Sequence, residues 1–206
     1  MHAPNFSGAR IPIPTKFNLA KFEFYLENYQ DRITVDFLRY GWPINYMGSL
    51  LSSTFSNHPS AAKNSVFLRS YVHKELVHRS ICGPFTSNPF ETGCVISPLL
   101  CVPKRDSDEL RVIHDLSFLE GFSVNDGIAK DSYLNEPFRL RLPGIDRLVE
   151  FVNEEGCGCH VFKKDLSCAY RQIPVDPGDY HFLGFQVDGY FYFHSAFNRL
   201  VFDQQL

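Results

Sequence analysis

The dipeptide Asp188-Gly189 stands between two apolar and aromatic runs, His181 to Val187 and Tyr190 to His194. Asp-Gly suits a two-residue turn in which both residues take positive φ, and the twist of that turn matches the twist of the strands it joins. The chain is therefore committed to an antiparallel hairpin here. A lone hairpin is marginally stable in water, so other strands or helices must cover it.

A second hairpin is written further upstream. Leu99 to Lys104 and Leu110 to Ile113 read as strands, and the polar stretch Arg105 to Glu109 between them reads as a hairpin tip. His160 to Lys164 reads as a further short strand. Helices are expected elsewhere. Phe17 to Arg39 has room for one or two, ended by Gly41-Trp42-Pro43. Ser60 is a candidate cap for a helix running to about His78, with Val66, Phe67, Tyr71 and Val77 near one face. Gly83-Pro84 reads as its stop. Gly48 to Pro59, Phe85 to Gly93 and Gly121 to Asn135 read as loop or irregular chain. Pro143 suits the first turn of a helix in which Ile145, Leu148, Val149 and Val152 recur at i, i+3, i+4 and i+7; this 143–154 helix is expected to pack on the sheet. Strands and helices mixed with hairpins make the class α+β.

Composition bounds the function. Of the 206 residues, 44% are apolar and 15% aromatic, enough for a real core. Net charge is −3 and uneven: residues 1–95 carry 9 Lys/Arg against 6 Asp/Glu, and residues 96–206 carry 11 against 17. That balance argues against a self-sufficient nucleic-acid binder, which carries a basic face. Six cysteines include no Cys-x-x-Cys pair. Cys157-Gly158-Cys159-His160 resembles half a zinc site without a second half. Nothing resembles a secretory signal or an apolar run of about 18 residues, so the expectation is no membrane and an intracellular setting, cytoplasm or nucleus.

The stretch that carries chemistry is Phe162-Lys163-Lys164-Asp165-Leu166-Ser167-Cys168-Ala169-Tyr170-Arg171-Gln172-Ile173-Pro174-Val175. A short strand delivers Asp165 at its end, where a carboxylate is well placed to hold a hard cation such as Mg2+. Small residues after it would let a triphosphate approach backbone N–H groups. The plainer reading is that Asp165 caps the next helix. Lys104 and Arg111 flank the upstream hairpin tip and would reach one polyanion, Arg with a bidentate fork and Lys as a point charge. Their plainer reading is a solvated charged turn.

Together these segments resemble the reverse transcriptase family. The resemblance rests on Val102-Pro103-Lys104-Arg105, Leu110-Arg111-Val112-Ile113-His114-Asp115-Leu116, Asn125, Lys164-Asp165-Leu166-Ser167 with Ala169-Tyr170-Arg171-Gln172-Ile173-Pro174-Val175, then Phe182 to Phe185 and Asp188 to Phe193. It covers about Val95 to Leu200. Val112 to Ser117 with Ser123-Val124-Asn125-Asp126 looks closest to retrotransposon enzymes, of the kind that carries a tyrosine recombinase. Tyr40 to Ile44 and Gly83-Pro84-Phe85 are similar to the leader of such elements.

The resemblance implies a partial right-hand polymerase. Residues 95–206 would be a fingers hairpin plus an incomplete antiparallel palm, and residues 1–94 a mostly helical and loop leader. It implies that Asp165 is the first metal-binding carboxylate, with the Leu166 carbonyl beside it. Lys104 and Arg111 would hold the triphosphate of a deoxynucleotide. Backbone N–H groups near Cys168 and Ala169 would meet the β and γ phosphates, and Tyr170 would exclude a 2′-OH. The reaction would be attack of a primer 3′-OH on the α-phosphorus of a dNTP, directed by an RNA or DNA template, with two Mg2+ ions about 4 Å apart.

Two departures stand beside this. Ser195 to Leu200 occupies the place of a Pro-Phe-Gly-Leu-like turn, and no Asp-Asp occurs, so the Tyr-x-Asp-Asp motif with the remaining carboxylates is absent from the sequence. The expectation is a fragment that does not catalyse alone. A non-catalytic nucleic-acid- or protein-binding module, and a degenerate copy without function, stay open as alternatives. An RNA-dependent RNA polymerase fragment is disfavoured by Tyr170.

Overall fold

The computed structural model describes residues 12–15, 17–29, 32–49, 52–105, 107–139, 144–156, 158–163 and 172–196. The class is α+β. Helix α1 is Leu19–Tyr25, capped by the Asn18 side chain, and α2 is Ile33–Tyr40. Gly41 ends α2 at φ 100°, where an added Cβ would stand 2.4 Å from the Val175 carbonyl oxygen. A two-residue strand β1, Ser53–Thr54, occupies part of the stretch expected to be loop.

The expected helix over 60–78 is two helices, α3 (Pro59–Lys63) and α4 (Ser65–Val77). The cap is His58, not Ser60: its ring accepts from the Ser60 N–H at 3.1 Å. The buried face of α4 matches the expected one in part: Phe67 and Tyr71 pack against the core. Leu68, Val72 and Glu75 point inward, whereas Val66 is 76% exposed. A glutamate at an inward position breaks the apolar stripe, which is why hydrophobicity alone selects only part of that face.

Strand β2, Ile81–Phe85, runs through Gly83-Pro84, which read as a stop in the sequence. The Gly83–Pro84 peptide is cis and the pairing shifts register between Cys82 and Phe85, so a bulge carries the strand past a residue without an N–H. Strand β3 is Val95–Ile96. The upstream hairpin is β4 (Leu99–Pro103) and β5 (Leu110–His114), pairing from Leu99↔His114 to Pro103↔Leu110. Where Gly121 to Asn135 is expected to be irregular, Ser132–Tyr133 (β6) pairs with Glu136–Pro137 (β7), just beyond that stretch, in a small hairpin. Helix α5 is Ile145–Glu155. Residues 160–163 take no regular structure, against the strand expected there. The last hairpin is β8 (Gly184–Val187) and β9 (Tyr190–His194), with Asp188 at φ 52° and Gly189 at φ 82°, as the Asp-Gly turn requires. Strand β8 starts later than expected because Pro177–Phe182 forms a 3-10 turn, capped by Asp176.

The main sheet has the order β1-β3-β8-β9-β2. It is mixed, not antiparallel as expected: β1 pairs with β3 and β3 with β8 in parallel, while β8–β9 and β9–β2 are antiparallel. Parallel neighbours need a long crossover, and the chain from 97 to 183 supplies one between β3 and β8. The sheet thus draws strands from both sides of Val95. One face carries Ile81, Phe185, Val187 and Tyr192, covered by Ala61, Leu68 and Val72 of α3 and α4 and by Leu99 and Cys101 of β4. The other carries Ile96 and Phe193 with Cys94, Phe85 and Phe90. A third cluster joins Ile44, Val95, Leu116, Val124, Val175, Phe182 and Leu183. Each fully buried large apolar side chain contributes roughly 1.5–3 kcal/mol relative to exposure.

Helix α5 forms as its periodicity predicts, but among the described residues its stripe is uncovered. Ile145, Leu148, Val149, Phe151 and Val152 are all exposed, Ile145 at 70%, and the helix buries no residue. The expectation that it packs on the sheet is therefore corrected. Its polar side is acidic, and Arg147 pairs with Glu150 on the same helix.

Candidate functional site

The described part of the candidate site is the β4–β5 hairpin. Its inward side is set by Leu99, Cys101 and His114, all buried. Alternation along the strands then turns Leu100, Val102, Arg111 and Ile113 outward. Val102 is the direct partner of Arg111. One step beyond the strand, the Lys104 N–H donates to the Glu109 carbonyl at 2.7 Å, so the ladder continues to the tip. Lys104 and Arg111 consequently lie on the same face, on successive same-side rungs. Both are exposed.

The ammonium of Lys104 is paired with the Glu109 carboxylate, and that pairing holds Glu109 below the usual carboxylate range. The Glu109 N–H is taken by the Ser107 hydroxyl at 3.1 Å, which tightens the tip. The tip is therefore a cation already facing one acidic side chain, with a guanidinium beside it. Such a face can meet a polyanion once Glu109 is displaced.

The hairpin is not a rung of the main sheet. It is held at its β4 edge by side chains: Asn57 accepts from the Leu99 N–H at 2.8 Å and Ser60 from the Cys101 N–H at 3.0 Å, while the Asn57 amide donates to Gln186 of β8 at 2.7 Å. At its base the Ser97 N–H donates to the Gly184 carbonyl at 2.8 Å, and His114 Nε2 reaches the same oxygen at 3.0 Å. Residues Asn57, Ser60 and His114 were not among the sequence-derived candidates. The signal for His114 was present, a histidine inside Val-Ile-His-Asp-Leu, but nothing local shows that it is buried.

Asp165, Leu166, Cys168, Ala169 and Tyr170 lie outside the described residues, as does Asp106 of the tip. The chain from Pro174 to Asp179 is tightly held. Trp42 donates to the Pro174 carbonyl at 2.8 Å and accepts from Asp176 N–H at 3.0 Å, and Val175 N–H bonds the Ser195 carbonyl at 3.0 Å. The Ile44 N–H donates to Asp179 Oδ2 at 2.8 Å, and burial pushes that carboxyl up to about 6. Gly41 to Ile44 thus clamps the chain that leaves the Asp165–Tyr170 segment. Asn125, part of the motif order, donates to the Ser117 hydroxyl at 2.8 Å and shapes the turn after β5. Asp126 accepts from Gly121 N–H and from both the N–H and hydroxyl of Ser123, which lowers its proton affinity. Among the described residues no group of three or more His, Cys, Asp or Glu is arranged to hold a metal. No helix among them is long and apolar enough to cross a membrane.

The sequence matches no protein-family model and no curated protein. Solved structures with partial likeness exist. A prototype foamy virus protease-reverse transcriptase mutant shares 17% identity over 87% of this chain, with a TM-score of 0.49. The foamy viral protease-reverse transcriptase in complex with double-stranded DNA shares 12% over 90%, at 0.46, and the same enzyme with an RNA/DNA hybrid 13% over 94%, at 0.46. The chain spans 22%, 34% and 26% of those three chains.

Proposed function

We propose that this chain is the fingers-and-palm portion of a retroelement reverse transcriptase, in which a deoxynucleoside triphosphate is held between the β4–β5 hairpin and the Asp165–Tyr170 segment. The observation that carries this reading is the placement of Lys104 and Arg111 on one exposed face of a hairpin, within a sequence whose motifs follow the family's order from Val102 to Phe193. Lys104 would meet the triphosphate as a point charge and Arg111 as a fork. Asp165, with the Leu166 carbonyl, would ligate Mg2+. The N–H groups near Cys168 and Ala169 would face the β and γ phosphates, and Tyr170 would select a deoxyribose. Template–primer RNA or DNA is the macromolecular partner.

Phosphoryl transfer of this kind rests on positioning and on neutralisation of charge by metals. The 206 residues hold one carboxylate of the expected kind, so they bind nucleotide without turning it over. Equilibrium binding of dTTP with Mg2+ tests this. Lys104→Ala and Arg111→Ala should each weaken binding about tenfold, and Asp165→Asn should remove its dependence on Mg2+. Unchanged affinity in the two hairpin variants would sink the reading. Primer extension by the 206-residue chain, lost in Asp165→Asn, would overturn the claim that it does not catalyse alone.

A further inference from the structure

The base of the β4–β5 hairpin meets the main sheet at one oxygen. The Gly184 carbonyl accepts from the Ser97 N–H and from His114 Nε2, which uses both of its lone pairs. A carbonyl only accepts, so Nε2 carries the proton and the neutral ring leaves Nδ1 bare. Nδ1 is buried and has no hydrogen-bond partner among the described residues. The ring is fully buried, 5.6 Å from Phe185 and 5.2 Å from the tilted ring of His194.

We propose that His114 is a positioning residue that pins the β4–β5 hairpin to strand β8 while neutral and lets the hairpin go when it is protonated. A second proton would sit on Nδ1, where a new donor and a full charge would be buried with no acceptor among the described residues. Strand β8 cannot yield easily, because it is laddered to β9 on one side and to β3 on the other. The hairpin is held less firmly: it has no ladder to the main sheet, and besides the packing of Leu99 and Cys101 and the Ser97 bond at its base it is tied by single bonds to Asn57, Ser60 and His58. Among the described residues, the ionisable groups on the elements around the ring are these. Strand β9 offers His194 and Tyr192, α4 on the same side of the sheet offers the buried Glu75, and the neighbouring Asp115 is turned onto the Ser117 N–H. Burial, partly offset by the Gly184 carbonyl, lowers the His114 pKa to about 4. The consequence for nucleotide handling rests on the function proposed above; the pin itself does not.

Amide hydrogen exchange of the whole chain, corrected for intrinsic rates, tests the pin between pH 7 and pH 4.5. Protection in 99–103 and 110–114 should fall at least about tenfold in the wild type, as expected from the difference in proton affinity between pinned and released states. Protection in 184–194 should hold. His114→Gln donates the same bond without titrating, and its hairpin protection should stay level across the range. Wild-type hairpin protection that is independent of pH would overturn the proposal. So would an equal fall in His114→Gln, or joint loss of hairpin and β8–β9 at every pH. Should His114→Gln not fold, the imidazole nitrogen spectrum of the wild type decides: an Nε2–H tautomer with a depressed titration supports the pin, and an ordinary titration near 6.5 refutes it. Exchange is read without nucleotide, so a failure of dTTP binding and a failure of the pin are separate results.

Discussion

The Lys104 ammonium is shared between two claims on it, the Glu109 carboxylate that it contacts and any anion that approaches the same face. Both partners are exposed, so their pairing adds little to stability. Its effect is on availability. Glu109→Gln should leave the denaturation midpoint within experimental scatter and raise the affinity for dTTP a few-fold, with a steeper dependence on salt because the net positive charge of the face rises by one. Unchanged or weaker affinity in a titration at two ionic strengths would show that Glu109 does not compete for Lys104. Gly184 illustrates the opposite kind of residue, one defined by what it lacks. A Cβ there would stand 2.5 Å from Ile96 Cδ1 and 2.6 Å from the Val95 carbonyl, so only glycine lets β3 approach and leaves its carbonyl open to two donors.

At the scale of elements, α4 and α5 are similar in length and opposite in burial. Leu68 of α4 lies in a cluster with Val72, Ile81 and Phe185, whereas Leu148 and Val149 of α5 face outward. Leu68→Ala should cost about 2–5 kcal/mol in chemical denaturation. Leu148→Gln with Val149→Gln should change stability by less than about 1 kcal/mol. A large loss from the α5 pair would mean that its stripe is covered in solution. The two helices also show what was legible in the sequence. The α5 stripe was plain from its period, yet a period shows which residues share a face and not whether anything lies against it. For α4 the expected face held Phe67 and Tyr71, which pack on the core, but missed Leu68, Val72 and Glu75, because burial of a charged side chain is decided by tertiary partners. The Asp188-Gly189 turn and the β4–β5 hairpin were readable because their chemistry is local. Strands β1 and β2 were not, since a two-residue strand and a strand through Gly-Pro exist only by virtue of neighbours distant in sequence. The candidate site divides the same way: Lys104 and Arg111 followed from hairpin register, while the anchoring by Asn57, Ser60 and His114 depends on contacts that no motif encodes.

At the scale of the whole molecule, buried His114 and half-buried Asp179 pull stability in opposite directions with pH. His114 is depressed to about 4, so its contribution is complete above the unfolded value near 6.5 and is lost as pH falls towards 4. Asp179 is raised to about 6, so its contribution is complete below the unfolded value near 3.8 and is lost as pH rises through 6. The windows overlap, so these two contributions offset each other between pH 4 and 6. Asp179→Asn should expose a rise in stability with pH over that range, and His114→Gln a fall; urea midpoints at three pH values are enough to check both, and parallel profiles for all three proteins would refute the assignment. The sheet has a further consequence in its outermost strands. One is β1, with two residues; the other is β2, which carries Pro84 and a bulge. Among the described strands neither outer rim presents a regular row of donors and acceptors, so the sheet is a poor template for fibril growth by strand addition. Self-association at high concentration should instead be amorphous and sensitive to changes on α5, leaving cross-β dyes dark.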